Sequence, residues 1–174
     1  AFQSTALQRL ATADPAALLD WLGAHPDIKA PVADLGRALQ ALAATEAPRA
    51  IAWVRAHAGA GDSAALTAEI FGVWIGKDRE EALKFLQSLS TGAAKDQIIT
   101  QLVNSDTAVT DPFFAGNMLP DAFDHALQFS NDAGRLTALR RVCSRMGELQ
   151  LSTEKLLKNP ALRPADREAL LKKP

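Results

Sequence analysis

The chain reads as all-α, a right-handed α-solenoid of about four stacked helical hairpins closed by a C-terminal capping segment. Three observations carry that expectation: a helix-favouring composition, an aromatic segment that recurs along the chain, and a second helical pattern after each recurrence. The 174 residues include 34 Ala and 24 Leu against 10 Gly, 9 Pro and no Tyr. Ala and Leu lose little side-chain freedom in a helix, whereas Gly and Pro interrupt one. The segment Ala17-Leu18-Leu19-Asp20-Trp21-Leu22 is echoed by Arg49-Ala50-Ile51-Ala52-Trp53-Val54 and by Glu81-Ala82-Leu83-Lys84-Phe85-Leu86. A looser echo is His125-Ala126-Leu127-Gln128-Phe129, so the anchors Trp21, Trp53, Phe85 and Phe129 are spaced 32, 32 and 44 positions apart.

The expected hairpins are residues 12–44, 45–77, 78–110 and 121–147, followed by a cap over 148–174, all within a single helical-repeat domain spanning 1–174. Each first helix carries a start signal: Asp14 then Pro15, Thr45 then Pro48, Asp78 with Glu81, and Asp121 with Asp124. A short acceptor side chain satisfies free first-turn amides, and proline there lacks only a donor that would be unpaired anyway. Breakers follow each anchor, at Gly23 and Pro26, Gly59 and Gly61, Gly92, and Gly134. The second helices then show apolar residues along one face: Leu35, Leu39 and Leu42; Leu66, Ile70, Val73 and Trp74; Ile98, Ile99, Leu102 and Val103; Leu136, Leu139, Val142, Cys143 and Met146. Stacking buries faces that a lone hairpin leaves in water.

Small residues one turn before the anchors, Ala50, Ala82 and Ala126, let neighbouring helices approach. Core packing is the expectation for Trp21, Trp53 and Phe85. The extra residues between the third and fourth anchors fall in 104–120, either a degenerate helix or a loop carrying Phe113, Phe114, Met118 and Leu119. Large apolar groups are costly to leave in water, so this stretch is expected to pack back, the alternative being contact with a partner. Beyond Gly147, Ser152-Thr153-Glu154 starts a short helix ended by Asn159-Pro160, and Pro164 to Lys172 forms another.

The repeated ALLDWL and RAIAWV segments, with Asp-Pro or its substitutes upstream and a small-residue turn downstream, resemble the helical-hairpin repeat class that includes tetratricopeptide and HEAT-like solenoids. The bacterial subtype rich in Asp-Pro-Ala-Ala-Leu and Trp is the nearest echo. The resemblance covers about residues 12–147, although the Gly and Tyr of a tetratricopeptide first helix are missing and the 32-residue period is shorter than most HEAT repeats. It implies a scaffold that binds another protein along a concave face.

Composition narrows the function further. With 48% hydrophobic residues the chain is not a disordered segment, and Cys143 has no partner for an internal disulfide. No stretch approaches the roughly 18 uncharged apolar residues of a membrane span. A soluble protein is expected, cytoplasmic or a processed exported fragment. The start Ala1-Phe2-Gln3, without an initiator Met, fits an excised or processed piece of something longer.

Chemical motifs are sparse: there is no glycine-rich phosphate loop, HExxH, GxSxG or paired CxxC. His25 and His57 each follow a tryptophan by four positions, which repeat ancestry explains without a ligand. Asp121, Asp124 and His125 share one side of a helix at i, i+3 and i+4. That spacing suits a divalent metal or a carboxylate-oriented imidazole, and equally a helix N-cap, the reading preferred here. Cys143, between apolar neighbours, is expected to be buried and inert. No metal site, cofactor or catalytic residue is therefore expected.

Net charge is −1, yet residues 1–134 hold 9 basic and 16 acidic side chains while 135–174 hold 10 and 4. The basic residues Arg135, Arg140, Arg141 and Arg145 form the candidate patch for an alternative function, a HEAT-like solenoid that binds nucleic acid. The leading expectation is a non-catalytic protein–protein interaction scaffold. Its expected contacts are Arg55, Lys84, Phe113, Phe114 and Met118.

Overall fold

A computed structural model describes residues 9–28 and 32–172; no strand occurs among them. The chain divides into two compact units, Ala1–Ser88 and Leu89–Pro174.

In the first unit, residues 9–13 are helical and are followed by α1 (Pro15–Ala24), α2 (Val32–His57), α3 (Ala60–Ile75) and α4 (Arg79–Ser88). Asp14 caps α1, its Oδ1 accepting the Ala17 N–H at 2.9 Å with Pro15 just inside the helix. Helix α2 is two helical arms that meet at Glu46 (φ −136°, ψ 55°), where Pro48 lies two residues on and removes one helical donor. The expected second and third helices are thus present as one kinked element. Asp78 heads α4, accepting the Glu81 N–H at 3.1 Å. Consecutive helices pack against one another, around Leu18, Leu19, Leu39, Leu42, Val54 and Ile70. Phe71 on α3 is also fully buried.

The second unit comprises α5 (Ala93–Thr107), α6 (Pro112–Ala126), α7 (Asp132–Glu148), the short α8 (Glu154–Leu157) and α9 (Pro164–Leu171). Gly92 opens α5 at φ +152°, a conformation that side chains rarely adopt. Helix α5 packs on both α6 and α7, α6 on α7, and α9 on α7. Ile98, Ile99, Leu102, Leu119, Phe123, Leu139 and Val142 form the interior, each with no measurable exposure.

Two expectations about this unit are corrected. The first helix of the fourth hairpin starts at Pro112, not at Asp121, with Asp111 as its cap. Residues 104–120 are accordingly the end of α5, a short turn and most of α6. The reason is a continuous buried face, Ala115, Leu119, Ala122, Phe123 and Ala126, which runs at helical spacing straight through Pro120. Phe129 then falls in the turn beyond α6, and Gly134 lies in the first turn of α7 rather than breaking the chain before it.

Within each unit, side-chain hydrogen bonds between sequence-distant residues obey a common spacing. In the first they join Asp20 to Arg49, Leu19 to Trp53 and Glu69 to Gln40. In the second they join Asp96 to Ser130 and Asn131, Thr107 to Arg141, Val109 to Arg145, Asp124 to Asn159 and Arg135 to Asp166. The separations run from 29 to 36 positions, bracketing the 32-residue spacing of the anchors. Each such bond ties a helix or turn to another within the same unit.

Asp96 makes the densest of these ties. Its carboxylate accepts the Ser130 N–H at 2.8 Å, the Ser130 hydroxyl at 2.5 Å and the Asn131 amide at 2.9 Å, with the residue only 8% exposed. Asn131 in turn caps α7 through the Gly134 N–H. Replacing Asp96 by Ala removes a charge-assisted acceptor from three donors, so a loss of about 2 kcal/mol is expected in urea denaturation. A loss below about 0.5 kcal/mol would mean water replaces the carboxylate freely.

Candidate functional site

Among the described residues, the opening turn of α6 carries two adjacent exposed aromatic side chains, Phe113 and Phe114. Asp111 Oδ1 accepts the Phe113 N–H at 2.8 Å and Pro112 occupies the first turn, so the helix starts with both aromatic rings on its opening turn. Phe113 is 75% exposed and Phe114 57% exposed. Their rings meet edge to face, centroids 5.5 Å apart at 82°. Expected to pack back, both instead project into solvent, because the buried face of α6 begins at Ala115 and the two phenylalanines precede it. Leu119 does pack inward and Met118 is half-buried. Exposed polar residues flank the pair along the helix: Asp111 and Asn117 bond to the Phe113 backbone, Asp121 lies about two turns on, and a methyl added at Gly116 would meet nothing within 4 Å. An apolar patch with a polar rim has the anatomy of a protein contact surface.

The other expected contact residues have local partners. Arg55 is exposed and its guanidinium lies 5.6 Å from the centre of the Phe85 ring. Lys84 is exposed and pairs with Glu80 at 2.9 Å and Glu81 at 2.7 Å; their hydrogen bonds, Glu81 first, hold its ammonium above the ordinary lysine range.

The basic patch is not assembled as expected. Arg135 is 2% exposed: its Nε donates to Asp166 at 2.8 Å and Nη2 to Asp132 at 2.9 Å. It clamps α9 to α7 and offers nothing to a phosphate. The i,i+3 spacing of Asp132 and Arg135 was the available sequence signal for this pairing. Arg141 donates to the Thr107 hydroxyl at 3.1 Å, and Arg145 to the Val109 carbonyl at 2.9 Å and to Glu148 at 2.7 Å. Arg140 and Arg141 are exposed, while Arg145 is partly buried.

Asp132 is held below its ordinary value of 3.8 by the hydrogen bond and charge of Arg135, with Arg163 adding to both. A carboxylate whose pKa is depressed by folding stabilises the fold above its unfolded pKa, and that contribution disappears as pH falls through the folded value. Stability should therefore drop below about pH 4, and Asp132→Asn should flatten that part of a melting-temperature profile. An unchanged acid limb would show that other carboxylates control it.

Asp121, Asp124 and His125 do not cap a helix N-terminus, since they lie in the second half of α6, with His125 in its last turn. Asp124 instead accepts the Asn159 amide at 2.7 Å. Among the described residues no group of three or more His, Cys, Asp or Glu side chains is placed to hold a metal ion. Cys143 is partly buried, and that burial pushes its thiol above the ordinary value. No helix among the described residues is long and apolar enough to cross a membrane.

The histidines repeat one arrangement twice. His25 Nδ1 lies 2.8 Å from the Trp21 carbonyl oxygen and its ring stacks on Trp21; His57 Nδ1 lies 3.0 Å from that of Trp53 and stacks likewise. Trp53 and His57 also border a cleft of about 560 Å³ together with Leu22, Leu35, Asp62 and Leu66. Trp53 and Phe85 are partly buried against the core, whereas Trp21 is 39% exposed, contrary to its expected core role.

Comparisons with protein-family models, with curated proteins and with solved structures give no match to this chain.

Proposed function

We propose that the chain is a non-catalytic protein–protein interaction module of the tetratricopeptide/HEAT-like kind, its hairpins stacked as a right-handed α-solenoid, with the opening turn of α6 as its contact surface. The observation that carries this reading is the Phe113–Phe114 pair, left in solvent by a helix whose opposite face is completely buried. Aromatic rings of this size bury about 150–250 Å² each when covered. The one-period spacing of the hydrogen bonds supports the stacked arrangement, because in a solenoid each repeat touches only its neighbours. Arg55 and Lys84 are proposed as polar contacts offered by the first unit. The nucleic-acid alternative is left with Arg140, Arg141 and Arg145.

The test is a double substitution, Phe113→Ser with Phe114→Ser, in the full chain. Because both rings are exposed and the only ring contact of each among the described residues is with the other, stability should change by less than about 0.5 kcal/mol. Recovery of a specifically retained protein from native extract should fall at least tenfold, as expected for removing about 1.4 kcal/mol or more of binding energy. Unchanged recovery would remove α6 as the contact surface. A large loss of stability would show that the rings belong to the fold.

A further inference from the structure

We propose that the Trp21 face of α1 is a docking surface for one more helix of the same repeat kind, a helix with a glycine and an accessible backbone carbonyl that accepts the Trp21 indole N–H. This rests on the repeat reading above, and the template for it lies within the first unit. The pairs Trp21–His25 and Trp53–His57 are 32 positions apart and nearly superimposable in internal geometry. Their ring centroids are both 4.7 Å apart, with interplanar angles of 28° and 24°.

The two pairs differ in what their tryptophan meets: Trp53 is partly buried and Trp21 is exposed, while both histidines are exposed. The Trp53 indole N–H donates to the Leu19 carbonyl of α1 at 2.8 Å. His57 lies against α1 at Gly23, where an added methyl carbon would fall 2.9 Å from its Nε2. Helix α1 therefore receives the second pair on a carbonyl and a glycine four residues apart. Trp21 is 39% exposed, and among the described residues none accepts its indole N–H. Leu10 and Ile28, each 36% exposed, add apolar surface in the same unit. A tryptophan combines a large apolar body with a polar tip, so a partner that covers the ring without offering an acceptor leaves that donor unsatisfied. The chain itself shows the solution, a helix bearing the equivalents of Leu19 and Gly23.

The experiment extends the full chain at its N-terminus by a copy of residues 14–32. Residue 1 lies one 32-residue period before residue 33, so this copy continues the repeat in register. The copied segment alone carries Trp21→Phe, keeping three indole N–H signals for NMR, each assigned by a single Trp→Phe variant. In the unextended chain the Trp53 indole should exchange with D2O at least tenfold more slowly than the Trp21 indole. In the extended chain Trp21 should slow at least tenfold, and Gly23→Val within the copy should reverse this by blocking the seat for His25.

Thermal melting gives a second readout, in which the loss caused by Trp21→Gln should at least double in the extended chain. A Trp21 indole that exchanges as fast as before, with Trp53 still protected, overturns the docking inference alone. That holds also where the copied segment adds no helical circular dichroism. A Trp53 indole as fast as Trp21 in the unextended chain overturns the template, and with it the stacked-repeat reading.

Discussion

Asp166→Ala is expected to destabilise the protein by about 3 kcal/mol, because it strips the main partner from a buried guanidinium. Arg135 and Asp166 are 2% and 6% exposed and meet at 2.8 Å. Hydrogen bonding to Asp166, ahead of that to Asp132, holds the guanidinium proton more firmly than usual. Arg135 Nη1 already lacks a partner among the described residues, so the truncated protein has no ready replacement. Asp132 remains, but its side chain is 80% exposed and water competes for it. Burying a charge without its counter-charge costs more than the pair contributes when intact, so Arg135→Leu with Asp166→Leu should recover much of the loss. Urea denaturation of the single and double variants checks both statements. A cost for Asp166→Ala below about 1 kcal/mol would mean that α9 detaches easily.

The second large effect concerns the anchors. Trp53→Ala should cost about 2–3 kcal/mol, less than a fully buried ring because Trp53 is only partly buried. It loses both apolar contact with the first unit's core and the indole bond to Leu19. Trp21→Ala, 32 positions earlier, should cost less than about 1 kcal/mol, since Trp21 is 39% exposed and its ring stacks only on the exposed His25 among the described ring contacts. Equal costs would show that the two tryptophans do the same structural job, and the exposed Trp21 face would lose its meaning.

These contrasts mark what was legible in the sequence. Helix starts were readable at Asp14-Pro15 and Asp78, where a capping side chain stands beside a proline or an acidic first turn. Asp111-Pro112 carries the same signal as Asp14-Pro15, yet the expected fourth start was Asp121, with Asp124 three positions on. The apolar series Ala115, Leu119, Ala122, Phe123 and Ala126 runs through that proline and was the stronger signal: one missing donor does not outweigh five buried side chains. The exposure of Trp21 was not legible, because sequence equivalence to Trp53 says nothing about whether a helix lies on the outer side. Phe113 and Phe114 were legible as unusual, but not as exposed; that depended on where α6 begins. Arg135 reads as a surface cation until Asp166, 31 positions away, is brought beside it.

Removing the two phenylalanine rings isolates one surface, but the central claim concerns the kind of partner. The most direct measurement is affinity capture by the wild-type chain from native extract at low salt, with and without nuclease, followed by quantitative mass spectrometry. The account predicts a defined protein, recovered equally in both arms and depleted when Phe113 and Phe114 are replaced by Ser. Recovery that vanishes with nuclease, and depends on Arg140 and Arg141 instead, would contradict it.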